Sequence, residues 1–329
     1  MPRTDSASER IVYLTGGVGG SRFLSGLVRH VSPNQLCIVV NTADDRDFFG
    51  LHVSPDLDTV LYKLSGVVSG EGWGVQGDTF FCLEQISKLG EEAWFRLGDK
   101  DLATHILRTK LLRQGLPLHS VTERLAKRFG IPWRILPMSD DPVETWIKTE
   151  EHGWVHFQEY LVKYRSMPSV LDVRYKAVRA ARATQEVLEA LERASLVIIG
   201  PSNPITSIGP ILALRGVKPL LRALNKPVVA VSPLIGGRPV KGPLDKLFLA
   251  VGLEPGNLAV ASRYRTFLGG LVIDQADQND AGALAKNGLQ VLVTDTLMRT
   301  QEDADLLAGV TLSFARDLSA LPDCSSKTA

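Results

Sequence analysis

With 329 residues, 44% hydrophobic and 22% charged, the chain is long enough to bury one large core, or one core carrying a smaller appended unit. A formal net charge of +1 gives no overall field for capturing nucleic acid or an anionic membrane, so any polyanion has to be recognised locally. Cys37, Cys82 and Cys324 are far apart and contain no CxxC pair, which excludes a disulfide framework and a zinc ribbon and points to a reduced, cytoplasmic compartment.

The N-terminal MPRTDSASER is short and polar, and no apolar signal region or spanning stretch follows, so a soluble protein is expected. IVYLT (residues 11–15) reads as a strand that stops at Gly16, and SRFLSGLVRHV from Ser21 as an amphipathic helix, giving strand, glycine loop, helix. LCIVV (36–40) is the second strand. Both strands are continuously apolar, which predicts burial on two faces in a parallel sheet covered by helices. DLATHILRTKLLRQG and SVTERLAKRFG have helical periodicity and stop at Gly115 and Gly130. After RILPMSDDP the pattern alternates through TWIKTEEHGWVHFQEYLVKYR, with Glu151, His152 and Gly153 between two strand-like arms, and VRYKAVRAARATQEVLEALERA then reads as a long charged helix. LVIIG (196–200), PVVAVSP (227–233), LAVAS (258–262), LVID (271–274) and VLVTD (291–295) resume the strand grammar, separated by helical segments such as 216–224 and 301–307. The expectation is a doubly wound, mainly parallel, Rossmann-like α/β core of residues 1–135 and 196–329, with residues 136–195 inserted as a smaller hairpin-plus-helix α+β unit. Residues from Asp323 onward read as frayed.

The chemistry concentrates in NTADDRDFFGLHVSPDLDTVLY (41–62), which places Asp44, Asp45, Asp47, Asp56 and Asp58 directly after the second strand. Carboxylates are costly to desolvate without a cation or a hydrogen-bond donor, so the cluster suggests a metal ion or a polar substrate. A solvated acidic loop is the competing reading, opposed by the interleaved Phe48, Phe49, Leu51, Val53 and Leu57. In TGGVGGSRF, Gly16, Gly17, Gly19 and Gly20 allow backbone amides to approach a phosphate at a helix start, the alternative being a merely tight turn. It is not a dinucleotide fingerprint, because Arg22 stands where a third glycine belongs and the second strand ends on Asn41, and no GK[ST] follows to make a P-loop. GPSNPITSIGP (200–210) and SPLIGGRPVKGP (232–243) add polar and cationic groups at later strand ends, including Arg238 and Lys241, although each alone reads equally well as a connection. WFRLGDKDLATH (94–105) offers an aromatic surface with Arg96 or Lys100 to hold an anion, or else an N-capped helix with Trp94 in the core. No HExxH or GxSxG occurs, which disfavours histidine-ligated zinc and a covalent serine mechanism.

With TGGVGG, NTADDRDFFGLHVSPDLDTVLY, WFRLGDKDLATH, PMSDDP, GPSNPITSIGP and SPLIGGRPVKGP in this order, the chain resembles the 2-phospho-L-lactate transferase family of coenzyme F420 biosynthesis, from about residue 11 to about residue 312. The resemblance implies a GDP-linked phospho-acid donor, the deazaflavin Fo as acceptor, Mg²⁺, release of GMP and a homodimer, with no nucleic acid or membrane partner. Carried over residue by residue, it assigns Asp44 and Asp56 to the metal, Asp45 and Asp58 to catalysis, and Asp58, Thr59, Arg96 and Gly98 to the acceptor side. The nucleotide falls to Gly16, Gly17, Gly19, Gly20, Pro201, Ser202, Asn203, Pro204 and Lys241. The sequence ends soon after its last helix with no glutamate-ligase segment, so the unglutamylated product is expected. Which small acid the donor carries, phospholactyl, phosphoenolpyruvyl or 3-phosphoglyceryl, is not legible, since these differ by a hydroxyl, a double bond or a carbon position. Two rivals stand beside this reading. A nucleotide-sugar-binding regulator of the gluconeogenesis-factor group shares the glycine loop and acidic pair, but has no need of PDLDTVLY and LGDKDLATH. A nicotinamide-dependent dehydrogenase is opposed by the missing third glycine and strand-2 acid.

Overall fold

Seven apolar runs meet side by side at the centre of the protein, seen in a computed structural model that describes residues 9–320. In chain order the strands are β1 (Ile11–Thr15), β2 (Leu36–Val40), β3 (Arg46–Phe48), β4 (Leu51–Val53), β5 (Arg134–Pro137), β6 (Glu144–Thr149) and β7 (Gly153–His156), followed by β8 (Val170–Lys176), β9 (Leu196–Ile199), β10 (Val228–Val231), β11 (Leu234–Ile235), β12 (Arg238–Pro239), β13 (Gly270–Asp274) and β14 (Gln290–Thr294). The first helices are α1 (Gly17–Leu27), α2 (Pro55–Leu64), α3 (Phe81–Lys88), α4 (Asp99–Arg113), α5 (Leu118–Arg128) and α6 (Gln185–Glu192).

The central sheet has the order β14-β13-β10-β9-β1-β2-β5 with every pairing parallel, the doubly wound α/β arrangement that the apolar runs predict. Alternate residues of β1 enter opposite cores: Ile11 and Tyr13 pack with α1, α2 and α5, while Val12 and Leu14 pack on the other face. That second core also takes Val143, Ile147, Val155 and Phe157 from the three-stranded antiparallel sheet β7-β6-β8, so the small sheet is closed against the large one by shared apolar burial. From β1 the chain winds outward through β2 and β5, returns to β9 on the other side of β1, and winds outward again. The reversal between β1 and β9 leaves a crevice at the carboxyl ends of the strands, where ligands bind in such sheets. The register Thr15↔Val40 and Leu14↔Ile199 brings Gly16, Asn41 and Gly200 to that edge together.

Three local expectations are corrected. LAVAS is not a strand but lies in the helix Asn257–Tyr264, where Asn257, Val260, Ala261 and Tyr264 are buried at helical spacing and Leu258 is exposed. The supposed long helix beginning VRYK starts as β8, paired antiparallel with β6, and helix forms only at Gln185, where the Thr184 side chain accepts from the Val187 amide at 3.2 Å. The second hairpin arm ends at His156, and Glu159–Lys163 is a wide helical turn. The segment from Asp323 lies outside the described residues. Among the described residues no helix is long and apolar enough to cross a membrane.

Candidate active site

The crevice is organised around the carboxylate of Asp56. Asp56 sits in the first turn of α2, one residue after Pro55, and is buried. Its Oδ1 accepts the Gly17 amide at 2.8 Å and its Oδ2 accepts Asn41 Nδ2 at 2.9 Å, so one side chain joins the end of β1, the end of β2 and the start of α2. Gly16 is required by this closeness, since a Cβ there would lie 2.5 Å from Asp56 Oδ2 and 2.9 Å from Ser207 Cβ. Gly19 and Gly20 answer to the loop after β9: a Cβ on Gly19 would meet the Pro201 carbonyl at 2.5 Å, and one on Gly20 the Ser202 hydroxyl at 2.4 Å. The first helix therefore begins at Gly17, earlier than the sequence suggests, with the Gly16 amide donating to Ser202 Oγ at 3.3 Å. Asn203 turns its own loop, its Oδ1 accepting the Ile205 and Thr206 amides, and Pro204 is buried behind it. Lys241 is exposed beyond β12, with no hydrogen bond or ion pair among the described residues.

Asp44 and Asp45 complete the acidic group. Ser54 Oγ and His52 Nε2 bind Asp45 Oδ2 at 2.7 and 3.1 Å, the histidine presented by the β3–β4 hairpin. Asp44 Oδ1 and Asp45 Oδ1 are buried and have no hydrogen-bond partner among the described residues. Burial, followed by the charges of Asp56 and Asp45, raises the Asp44 carboxyl well above the ordinary carboxylate range. Burial likewise pushes the Asp56 carboxyl up to about 6, against the opposing hydrogen bonds from Asn41 and Gly17. Three carboxyls with raised affinity for protons, two of them holding orphaned oxygens, form a site that a cation would relieve. No group of three or more His, Cys, Asp or Glu among the described residues is arranged as a ready-made metal cage. The donor set instead fits Mg²⁺, which is held by one or two carboxylates and completes its octahedron with water and substrate phosphate.

Asp58, two residues further along α2, faces elsewhere. Both its oxygens take the guanidinium of Arg108, which is 1% exposed, and His105 Nδ1 lies 3.6 Å away. Arg108 was absent from the sequence reading, yet a signal was present: Asp101, His105 and Arg108 stand at helical spacing on one face of α4, and that face is buried. Thr59 is buried beside Asp58 on α2. Of the two acids of LGDKD, Asp99 is a helix cap and Asp101 accepts the Tyr62 hydroxyl. Asp78 accepts the Lys100 and Asp101 amides at 2.7 and 3.0 Å at the start of α4, and Asp99 accepts the Phe81 and Cys82 amides, both at 3.0 Å, at the start of α3. Gly98 makes room for this exchange, because a Cβ there would lie 2.1 Å from Asp78 Oδ2. Lys100 Nζ is bound to the carbonyls of Gln76 and Gly77, Trp94 and Phe95 pack on Phe48, and Arg96 is exposed over the Phe80 ring at 4.4 Å.

Two outcomes are expected from this geometry. Asp58→Asn should destabilise the fold by about 3–5 kcal/mol, because it leaves the buried Arg108 charge uncompensated. Urea unfolding of the variant checks it, and an unchanged midpoint would place that ion pair outside the core. The pH dependence of Asp56 has a definite sign: its carboxyl titrates at about 6 when folded against 3.8 ordinarily, so between these values the folded state binds more proton than the unfolded one, and the group's cost to stability grows across this interval and is complete above it. Asp56→Asn should thus be more stable relative to the parent at about pH 7.5 than at about pH 5, read from metal-free urea midpoints at both.

Residues 11–308 match the family described as 2-phospho-L-lactate transferase CofD. A 2-phospho-L-lactate transferase of Methanosarcina acetivorans is 45% identical over 299 residues, covering 91% of this chain and 96% of its own. A phosphoenolpyruvate transferase of Streptomyces griseus is 39% identical, covering 94% of this chain and 100% of its own. Among solved structures, a UPF0052-family protein from Bacillus halodurans superposes with a TM-score of 0.62 at 17% identity, covering 92% of this chain and 99% of its own, a likeness of fold. The chain belongs to the 2-phospho-L-lactate transferase family and is a phospho-acid transferase.

Proposed function

We propose that the enzyme moves a phospho-acid group, 2-phospholactyl, phosphoenolpyruvyl or 3-phosphoglyceryl, from a GDP-linked donor to the terminal ribityl hydroxyl of the deazaflavin Fo, with GMP as the second product. The observation that carries this reading is the pair of buried, unpartnered carboxylate oxygens on Asp44 and Asp45, on the segment that follows β2. Phosphoryl transfer needs positioning and charge neutralisation more than covalent chemistry, and these are the resources the site offers.

Asp44 and Asp56 are the residues that would hold Mg²⁺, with Asp45 at their side. A divalent ion there supplies positive charge against the phosphoryl oxygens as the transition state forms. The chain's own groups do the rest. The half-buried amides of Val18 and Gly19, which have no partner among the described residues, point to a phosphate contact at the start of α1. Asp45 suits the role of proton acceptor better than Asp58. His52 and Ser54 hold its Oδ2 and leave Oδ1 available, whereas Arg108 occupies both oxygens of Asp58. In the step itself the acceptor oxygen bonds to the phosphorus that bears the small acid, the bond from that phosphorus to the bridging oxygen of GMP breaks, and the hydroxyl proton passes to Asp45.

Relatives are named for two of the transfers, of 2-phospho-L-lactate and of phosphoenolpyruvate, and the 3-phosphoglyceryl donor is the third to compare. Incubation of the enzyme with Fo, Mg²⁺ and each GDP-linked donor, followed by mass spectrometry, should give one deazaflavin phosphodiester and an equal amount of GMP. GMP release without a modified deazaflavin would reduce the activity to donor hydrolysis.

A further inference from the structure

A cavity of about 550 Å³ opens beside Asp45, walled by residues that follow β2 and β5 and by Trp146 and His156 of the small antiparallel sheet. Three of its lining atoms are buried hydrogen-bond donors with no hydrogen bond among the described residues: Arg46 Nη1, Thr42 Oγ1 and His156 Nε2. Thr42 is 4% and His156 3% exposed. The Gln158 amide donates to His156 Nδ1 at 3.2 Å, so the ring hydrogen sits on Nε2. Burial, then the nearby Arg46 charge, lowers the pKa of the ring to about 4 and keeps it a neutral N–H donor. Arg46 is held in place by Glu159, which both its terminal nitrogens approach at 3.3 Å, and by the Phe48 and Trp94 rings.

The acids around the same cavity are already engaged. Asp140 takes the amide and ring of His119, and Asp141 accepts the Arg182 amide. Glu144 accepts Trp146 Nε1 and pairs with Lys176, and Asp47 lies 3.4 Å from His52 Nδ1. What the cavity leaves open on this wall is donors, one of them a cation. Buried donors are nearly always satisfied, and the group that accepts from several at once while offering no hydrogen of its own is a carboxylate.

The geometry of transfer says which carboxylate. Displacement at phosphorus runs in line, with the entering and leaving oxygens opposite each other. The small acid on that phosphorus therefore points to the side, and needs a pocket that neither the nucleotide nor the acceptor fills. The glycine helix and the Pro201–Pro204 loop follow β1 and β9, on one side of the acidic group, and the cavity lies on the other, towards β5.

We propose that this cavity receives the small acid of the donor, with Arg46, His156 Nε2–H and the Thr42 hydroxyl holding its carboxylate and the phosphorus next to Asp45. The inference rests on the transfer reading above and deepens it, since it names the residues that read the transferred group. The 2-phospholactyl and phosphoenolpyruvyl groups carry the carboxylate on the carbon bonded to the phosphate oxygen, so one set of donors serves both. The 3-phosphoglyceryl group places it one carbon further away, and the distance from phosphorus to carboxylate is what the pocket sorts.

Calorimetry on the intact protein, with Mg²⁺ and without acceptor, tests this with three probes: GDP, the GDP-linked 2-phospholactyl donor, and the ethyl ester of GDP on its terminal phosphate, which is that donor without its carboxylate. The parent should bind the 2-phospholactyl donor about tenfold or more tighter than the ethyl ester. Arg46→Gln and His156→Ala should each remove most of that preference while GDP affinity stays within about twofold, and His156→Gln, which keeps an N–H donor, should recover part of it. Arg46 is partly exposed, so its variant carries the test if His156→Ala does not fold. Equal affinity of the parent for the two esters, folded variants that keep the full preference, or a loss that appears equally in GDP binding would overturn the assignment of the cavity. A parent protein that binds neither ester nor GDP would overturn the transfer reading itself, and this inference with it.

Discussion

The hydrogen bonds from Gly17 and Asn41 to the Asp56 carboxylate hold the site together. They fix three chain segments that the sheet alone would leave only adjacent, and they explain why position 16 has no room for a side chain. Hydrogen bonds to a charged group contribute about 1.5–3 kcal/mol each when well made. Even so, burial wins: the carboxyl is pushed up to about 6, and its neighbour Asp44 is raised further by the proximity of like charge. A fold that buries several carboxyls together at a ligand-binding edge is relieved by positive charge, which on the proposed reading a divalent ion bound with the GDP-linked donor would bring. On that reading substrate and ion would be coupled through one small patch of the protein.

Behind this patch lies a layer that holds it rigid. Arg108 anchors Asp58 and also reaches the His52 carbonyl at 3.4 Å, connecting α2, α4 and the β3–β4 hairpin that presents His52 to Asp45. Tyr62 donates to Asp101 at 2.5 Å in the same layer. Outside it, Asp78 caps α4, Asp99 of α4 caps α3, and together they lock the 76–82 turn onto α4. Polar residues that look alike in sequence thus perform three tasks at increasing distance from the crevice: facing substrate, fixing the residues that do, and starting helices.

Much of this was legible beforehand, for identifiable reasons. Continuous apolar runs such as LCIVV are read correctly because strands buried on two faces have no alternation to confuse, and the glycines and Asp44, Asp45 and Asp56 announce a site because their cost demands a return. LAVAS failed because a five-residue apolar run carries no period that separates strand from helix. VRYK failed because β8 gains its place by pairing with β6, a contact that local propensity does not encode. The ion pair of Asp58 was hidden for a similar reason: its partner Arg108 is 50 residues away, and only the buried face of α4 betrays it. The cavity wall formed by Trp146 and His156 was invisible, since the packing of the small sheet on the large one is a tertiary fact.

The central claim is that the orphaned carboxylate oxygens of Asp44 and Asp45 receive a divalent ion together with the nucleotide. Mn²⁺ binding followed by electron paramagnetic resonance in the presence of GDP addresses it directly, because it reads occupancy without relying on turnover. The account predicts saturable Mn²⁺ binding by the parent protein that is strengthened by GDP, and a loss of about tenfold or more in a folded Asp44→Asn variant. Equal Mn²⁺ affinity in the two proteins would contradict it.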